Sequence, residues 1–178
     1  MLVGQYISHL ADSQGMSQSD IARKCGFSRQ GLNYIITGKR RMTLSQALRL
    51  ESLFSLKGGT LVKMQDEDAM RTYKERLRNG LFIKLEKSNA FWSYSNVDVN
   101  SVSDEDIVEK TFIHLDLDDI SSLFELYTTN FIRRVWEERM AGQGEYMWSL
   151  NMMIAQCYFG IHDPETFLHK KERISIKA

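Results

Sequence analysis

Ser17 to Arg41 reads SQSDIARKCGFSRQGLNYIITGKRR, the pattern of two short helices separated by a tight turn. Ile21 and Ala22 give the first helix its apolar side behind an opening Ser17. Cys25-Gly26 stops it, because glycine takes the left-handed conformation that ends a helix at little steric cost. Ser28 has the chemistry of an N-cap, with a hydroxyl able to accept from an otherwise orphaned backbone N–H. A second helix follows from about Arg29 to Thr37. Its Leu32, Ile35 and Ile36 fall on one face and leave Arg29, Gln30, Gly31, Asn33 and Tyr34 on the other. Arginine and glutamine at the start of an exposed helix face suit the major-groove edges of guanine and adenine. Gly38-Lys39-Arg40-Arg41 then ends the helix and sets three cations where a phosphate backbone would pass.

Composition sets the surroundings of this stretch. A chain of 178 residues is long enough for one large or two small domains with a real core. The net charge is zero, but Met1 to Lys57 holds eight basic and three acidic residues, a balance of +5, so the remainder carries −5. Such asymmetry points to a basic binding module joined to an acidic partner. Two cysteines, Cys25 and Cys157, make no framework and no metal-binding pair, and both read as small buried apolar groups. No run has the length of a membrane span and no signal peptide is evident, so a cytoplasmic location is expected.

The opening segment resembles the helix-turn-helix of the Cro/C1-type (Xre-like) regulators. Ser17-Gln18, Ile21-Ala22, Gly26-Phe27-Ser28, Leu32, Ile36 and Gly38-Lys39 carry the resemblance. Met1-Leu2-Val3-Gly4 and the run from Thr43 to Glu51 are similar to the HigA-type antitoxin branch. The resemblance implies that the Ser28-to-Gly38 helix enters the major groove, with Gln18 near a phosphate. On that placement Arg29, Gln30, Asn33 and Tyr34 are the expected base contacts, and Gln18, Ser28, Lys39, Arg40 and Arg41 the expected phosphate contacts. Gly31 stands where many relatives carry a larger polar residue, so it would read a base through its backbone or not at all.

Around the motif, Leu2 to Gln14 reads as a first helix with Val3, Ile7 and Leu10 inward. Thr43 caps a fourth, with Leu44, Ala47, Leu48 and Phe54 expected inside. Thr60 to Asn79 reads as a charged, solvated connector with a narrow seam through Met70 and Tyr73, and Leu81 to Lys87 as extended linker. Ser103 begins a helix with acidic residues in its first turn. Further helices are expected over Leu117–Tyr127, Phe131–Met140 capped by Asn130, and Tyr146–Phe159. Pro164 is expected to end the architecture and leave a frayed tail. The fold class is therefore all-α: an N-terminal five-helix, lambda-repressor-like DNA-binding domain plus a small C-terminal helical domain. The expected divisions are 1–57 for DNA binding, 58–89 for the connector and linker, and 90–178 for an acidic partner-binding domain.

The second half is similar to a small helical domain of bacterial proteins of unknown or antitoxin-like role, some paired with nucleotidyltransferase-type toxins. Phe91-Trp92-Ser93-Tyr94, Glu109 to Asp119 and Arg133 to Glu138 carry that resemblance. Trp92 and Tyr94 are its candidate partner-binding anchors. Asp116, Asp118 and Asp119 would be the only centre for an enzyme, and helix capping explains them more simply. No nucleophile motif, phosphate-binding glycine loop or zinc spacing occurs, so no catalytic residue, metal or cofactor is expected. The expectation is an autorepressing DNA-binding antitoxin, acting as a homodimer on an inverted-repeat operator and binding a protein toxin. The alternative is a ligand-responsive regulator.

Overall fold

The protein is described by a computed structural model covering residues 2–92 and 97–175. The described residues form ten α-helices and no strand. Their contacts divide the chain into two compact units, 1–73 and 74–178, a boundary that falls inside the stretch read as a connector. The first unit holds ten basic and six acidic residues, the second thirteen and seventeen.

In the first unit α1 (Val3–Ser13), α2 (Gln18–Cys25), α3 (Arg29–Ile36) and α4 (Leu44–Leu53) enclose a core with the start of α5 (Thr60–Lys87). Ile7, Ile21, Leu32, Leu50 and Leu61 are fully buried there. Gly4 is the point where α1 meets the end of α3: a Cβ at this position would lie 2.0 Å from the Ile36 carbonyl oxygen. Glu51 is buried, and its carboxylate accepts the Gly59 and Leu61 N–H groups at 2.9 and 2.6 Å. These donors open α5 and have no partner within the helix, so Glu51 caps it from outside. The inward assignment for Leu44 and Leu48 is corrected, since both are exposed, while Ala47, Leu50 and Phe54, with the partly buried Leu53, fill the α4 side of the core. Met70 and Tyr73 are exposed as well.

The second unit contains the rest of α5, then α6 (Asp104–His114), α7 (Leu117–Leu126), α8 (Thr129–Arg139), α9 (Trp148–Cys157) and α10 (Pro164–Ser175). Leu81 to Lys87 is helical, not extended. Leu81, Phe82 and Leu85 are buried at helical spacing, and Phe82 stacks on Phe91 at 5.6 Å. Trp136 of α8 is the centre, fully buried between Phe159 and Phe167 at 5.0 and 5.7 Å. Its indole N–H donates to Asn151 Oδ1 at 2.8 Å, and Asn151 Nδ2 donates to the Met140 carbonyl at 2.8 Å. Both polar ends of a buried pair are thus satisfied. Arg78 of α5 ties down the stretch before α6, donating to the Val99 and Val102 carbonyls at 2.6 Å each and to Asp104 at 2.8 Å.

Other readings are corrected in this unit. Thr128, not Asn130, caps α8. Tyr146 lies in a 3-10 turn ahead of α9 and is exposed. Cys157 is exposed, whereas Cys25 is buried as expected. Pro164 does not end the fold. It is the first residue of α10, where its missing N–H costs nothing, and Asp163 Oδ1 accepts the Thr166 N–H at 3.1 Å. Phe167 and Leu168 then pack α10 onto the core instead of leaving it frayed.

Candidate nucleic-acid interface

Local chain chemistry builds the motif as its sequence predicts. Ser17 Oγ accepts the Asp20 N–H at 3.2 Å and opens α2. Gly26, at φ 67 and ψ 36, closes it in the left-handed region. Ser28 Oγ accepts the Gly31 N–H at 3.0 Å and opens α3. Leu32 and Ile35 are buried beneath, so the orientation of α3 follows from its own apolar spacing.

The outer face of α3 presents Arg29, Gln30, Asn33 and Tyr34, all exposed. Gln30 Nε2 donates to the Tyr34 hydroxyl at 2.8 Å, which couples two of the four across one helical turn. Gly31 is not on this face. It is buried, and a Cβ there would stand 2.9 Å from Ser28 Oγ and 3.6 Å from an Arg40 guanidinium nitrogen. The missing side chain makes room for the cap and for Arg40, and the buried Gly31 backbone is not presented to a base.

Gln18, Ser28, Lys39, Arg40 and Arg41 are exposed around that face. The Arg40 N–H donates to the Tyr34 carbonyl at 3.0 Å, folding the basic turn back against the end of α3. Among the described residues, Arg29, Lys39 and Arg40 form no ion pair. Arg41 does pair, with Asp66 of α5. Sequence reasoning missed this contact and its neighbour: Gln65 Oε1 accepts the Met42 N–H at 2.6 Å while its Nε2 donates to the Met42 carbonyl at 3.2 Å. No local signal could reveal them, since the partners are more than twenty residues apart. Asp20 pairs with Arg23 at 2.6 Å, and its carboxyl is held below its ordinary value, first by the Ser17 hydroxyl and also by Arg23.

Residues 8–59 match the helix-turn-helix family model. The match covers less than a third of the chain. It supports a Cro/C1-type helix-turn-helix in the first unit and, with it, a DNA-binding transcription regulator. No curated protein and no solved structure matches the chain. No described helix is long and apolar enough to cross a membrane.

The second unit distributes its candidate residues differently. Asp116 caps α7 by accepting the Asp119 N–H at 3.0 Å, Asp118 is exposed, and Asp119 is buried against Lys84 at 2.5 Å. Each carboxylate with a partner is thus spent on helix ends and packing. Trp92 is 79% exposed beside a buried Phe91, while Tyr94 lies outside the described residues.

Proposed function

We propose that the chain is a sequence-specific repressor of the antitoxin type. It binds an inverted-repeat operator as a two-fold homodimer through its first unit and a protein toxin through its second. The observation that carries the DNA reading is the α3 face, where Arg29, Gln30, Asn33 and Tyr34 stand exposed beside Lys39 and Arg40, which among the described residues have no carboxylate partner. Arg29 is suited to guanine and Gln30 to adenine, and Lys39 and Arg40 to the flanking backbone. Dimerisation is favoured on energetic grounds, because one small module buries too little surface for strong discrimination. The exposed Leu44 and Leu48, one turn apart on α4, support an apolar contact of that kind.

The partner reading rests on the excess of acidic residues in the second unit and on Trp92, a large aromatic held out beside a packed neighbour. The location follows the work: DNA and a toxin are both met in the cytoplasm. Footprinting on the chain's own promoter, with light scattering of the free protein, tests the DNA half. Two protected half-sites about one helical turn apart and a dimeric mass are expected. A monomer protecting one half-site would contradict the proposal. Co-expression with the neighbouring gene product tests the other half: the full chain should co-purify with it, and Trp92→Ala should release it.

A further inference from the structure

We propose that Asp66 is a built-in competitor for the phosphate contact of Arg41, so that opening this ion pair sets part of the chain's affinity for DNA. The proposal rests on the DNA-binding reading and adds to it a residue outside the helix-turn-helix. Three cations follow α3, and among the described residues Arg41 is the one with a carboxylate on it. The pairing is built, not a chance meeting of two long side chains. Gln65 grips both main-chain groups of Met42, next to Arg41 in sequence, and so fixes the basic turn to the very part of α5 that carries Asp66.

Carboxylate and phosphate are chemically alike toward a guanidinium, since both are oxyanions that accept its N–H groups in pairs. With the Arg41 and Asp66 side chains 63% and 58% exposed, a DNA phosphate can reach the same donors. As it approaches it meets the negative charge of Asp66 as well as the cation, so the carboxylate must give up its place. An exposed pair opens easily, which makes Asp66 a moderator of affinity and not a block.

The test is fluorescence anisotropy of the full chain on a labelled mixed-sequence duplex and on its own promoter, over a range of salt. Asp66→Asn should bind both duplexes about 3- to 10-fold more tightly at low salt and steepen the salt slope by about 1, as one more phosphate contact would. Asp66→Ser should do the same, and melting curves check that both variants fold. Glu67→Gln removes a neighbouring charge that pairs with Lys63 at 3.7 Å and should gain much less. In an Arg41→Gln background the gain from Asp66→Asn should largely vanish. The proposal is overturned if Asp66→Asn binds no tighter than the parent, if Glu67→Gln gains equally, or if the gain survives loss of Arg41. Equal affinity of the parent for both duplexes would remove the sequence-specific reading and leave this one standing. No binding by the parent would remove both.

Discussion

A single kind of substitution, glycine to alanine, should act in opposite directions at two helical positions. At Gly4 the new Cβ would sit 2.0 Å from the Ile36 oxygen, 2.8 Å from its carbonyl carbon and 3.1 Å from its Cα. Carbon and carbonyl oxygen rest at about 3.3 to 3.6 Å even in a favourable contact, so α1 and the end of α3 would have to part by more than an ångström. The obstacle is backbone and cannot swing aside. The cost falls at the upper end of the overpacking range, about 3 kcal/mol, offset by up to about 1 kcal/mol of better helix propensity. A net loss of about 2 kcal/mol corresponds to a fall of roughly 8 to 16 °C in the melting of a unit this size.

Gly80 lies inside α5 with nothing within 4 Å of an added Cβ. Alanine there should add about 0.5 to 1 kcal/mol, because a mid-helix glycine sacrifices more backbone freedom on folding. Calorimetry of the full chain reads both variants, with the transitions of the two units fitted separately. Gly4→Ala should also weaken DNA binding at temperatures where it remains folded, since Ile36 terminates α3, the helix proposed to read the bases. A Gly4→Ala protein that melts at or above the parent temperature would refute the close approach of α1 and α3.

Arg29→Ala should cost about 1 to 3 kcal/mol on the operator and relax specificity at one base pair, whereas Arg40→Ala should weaken all sequences alike and lower the salt slope by about 1; equal losses on operator and random DNA for Arg29→Ala would sink that assignment. Glu51→Gln turns an amide N–H₂ toward donors that need an acceptor and should cost about 1 to 3 kcal/mol in urea denaturation; an unchanged midpoint would contradict the capping role. Asn151→Leu strands the Trp136 N–H, while the Met140 carbonyl keeps the Gln143 N–H at 3.1 Å, and should destabilise by about 1 to 3 kcal/mol for the one group left unpaired, followed through tryptophan fluorescence. Acid should weaken the second unit: burial raises the Asp106 and Glu137 carboxyls, but Ser103 and Arg139 for the first, and Lys171 and Arg133 for the second, bring both below their ordinary values. Their stabilisation is therefore complete above about pH 5 and is lost as pH falls below about 4, and Arg139→Met should flatten the decline in unfolding midpoint.

The motif was legible because its determinants are local. Ser17, Gly26 and Ser28 act on groups within a few residues of themselves, and capping chemistry does not depend on what packs nearby. The linker reading of Leu81 to Lys87 failed for the opposite reason. The apolar spacing of a run as short as Leu81 to Leu85 fits extended chain and helix alike, and Phe91 with the rest of the core decides between them. Pro164 fits both the end of one helix and the first position of another, and only the packing of Phe167 against Trp136 selects the second. Leu44 and Leu48 read as inward because leucine usually is. Whether α4 buries that side depends on what lies across from it.

Charge shows most clearly what counting along a chain omits. The first unit's excess of four positive charges understates the field at α3, because its negative charges are largely spent elsewhere. Glu51 is buried on helix N–H groups, Asp20 is held by Ser17 and Arg23, Glu67 faces Lys63, and Asp68 accepts the Val3 N–H at 2.6 Å while pairing with Arg71. Among the described residues, Arg29, Lys39 and Arg40 have no carboxylate in ion-pair reach, and they surround one helix face. Exposed cations with no carboxylate partner are what a polyanion recruits, since releasing its counterions then breaks no existing pair. Asp66 is the exception: it is the acidic residue placed on a cation of that same turn. A chain-wide neutral protein can thus present a strongly positive face, and one aspartate of α5 is positioned to moderate it.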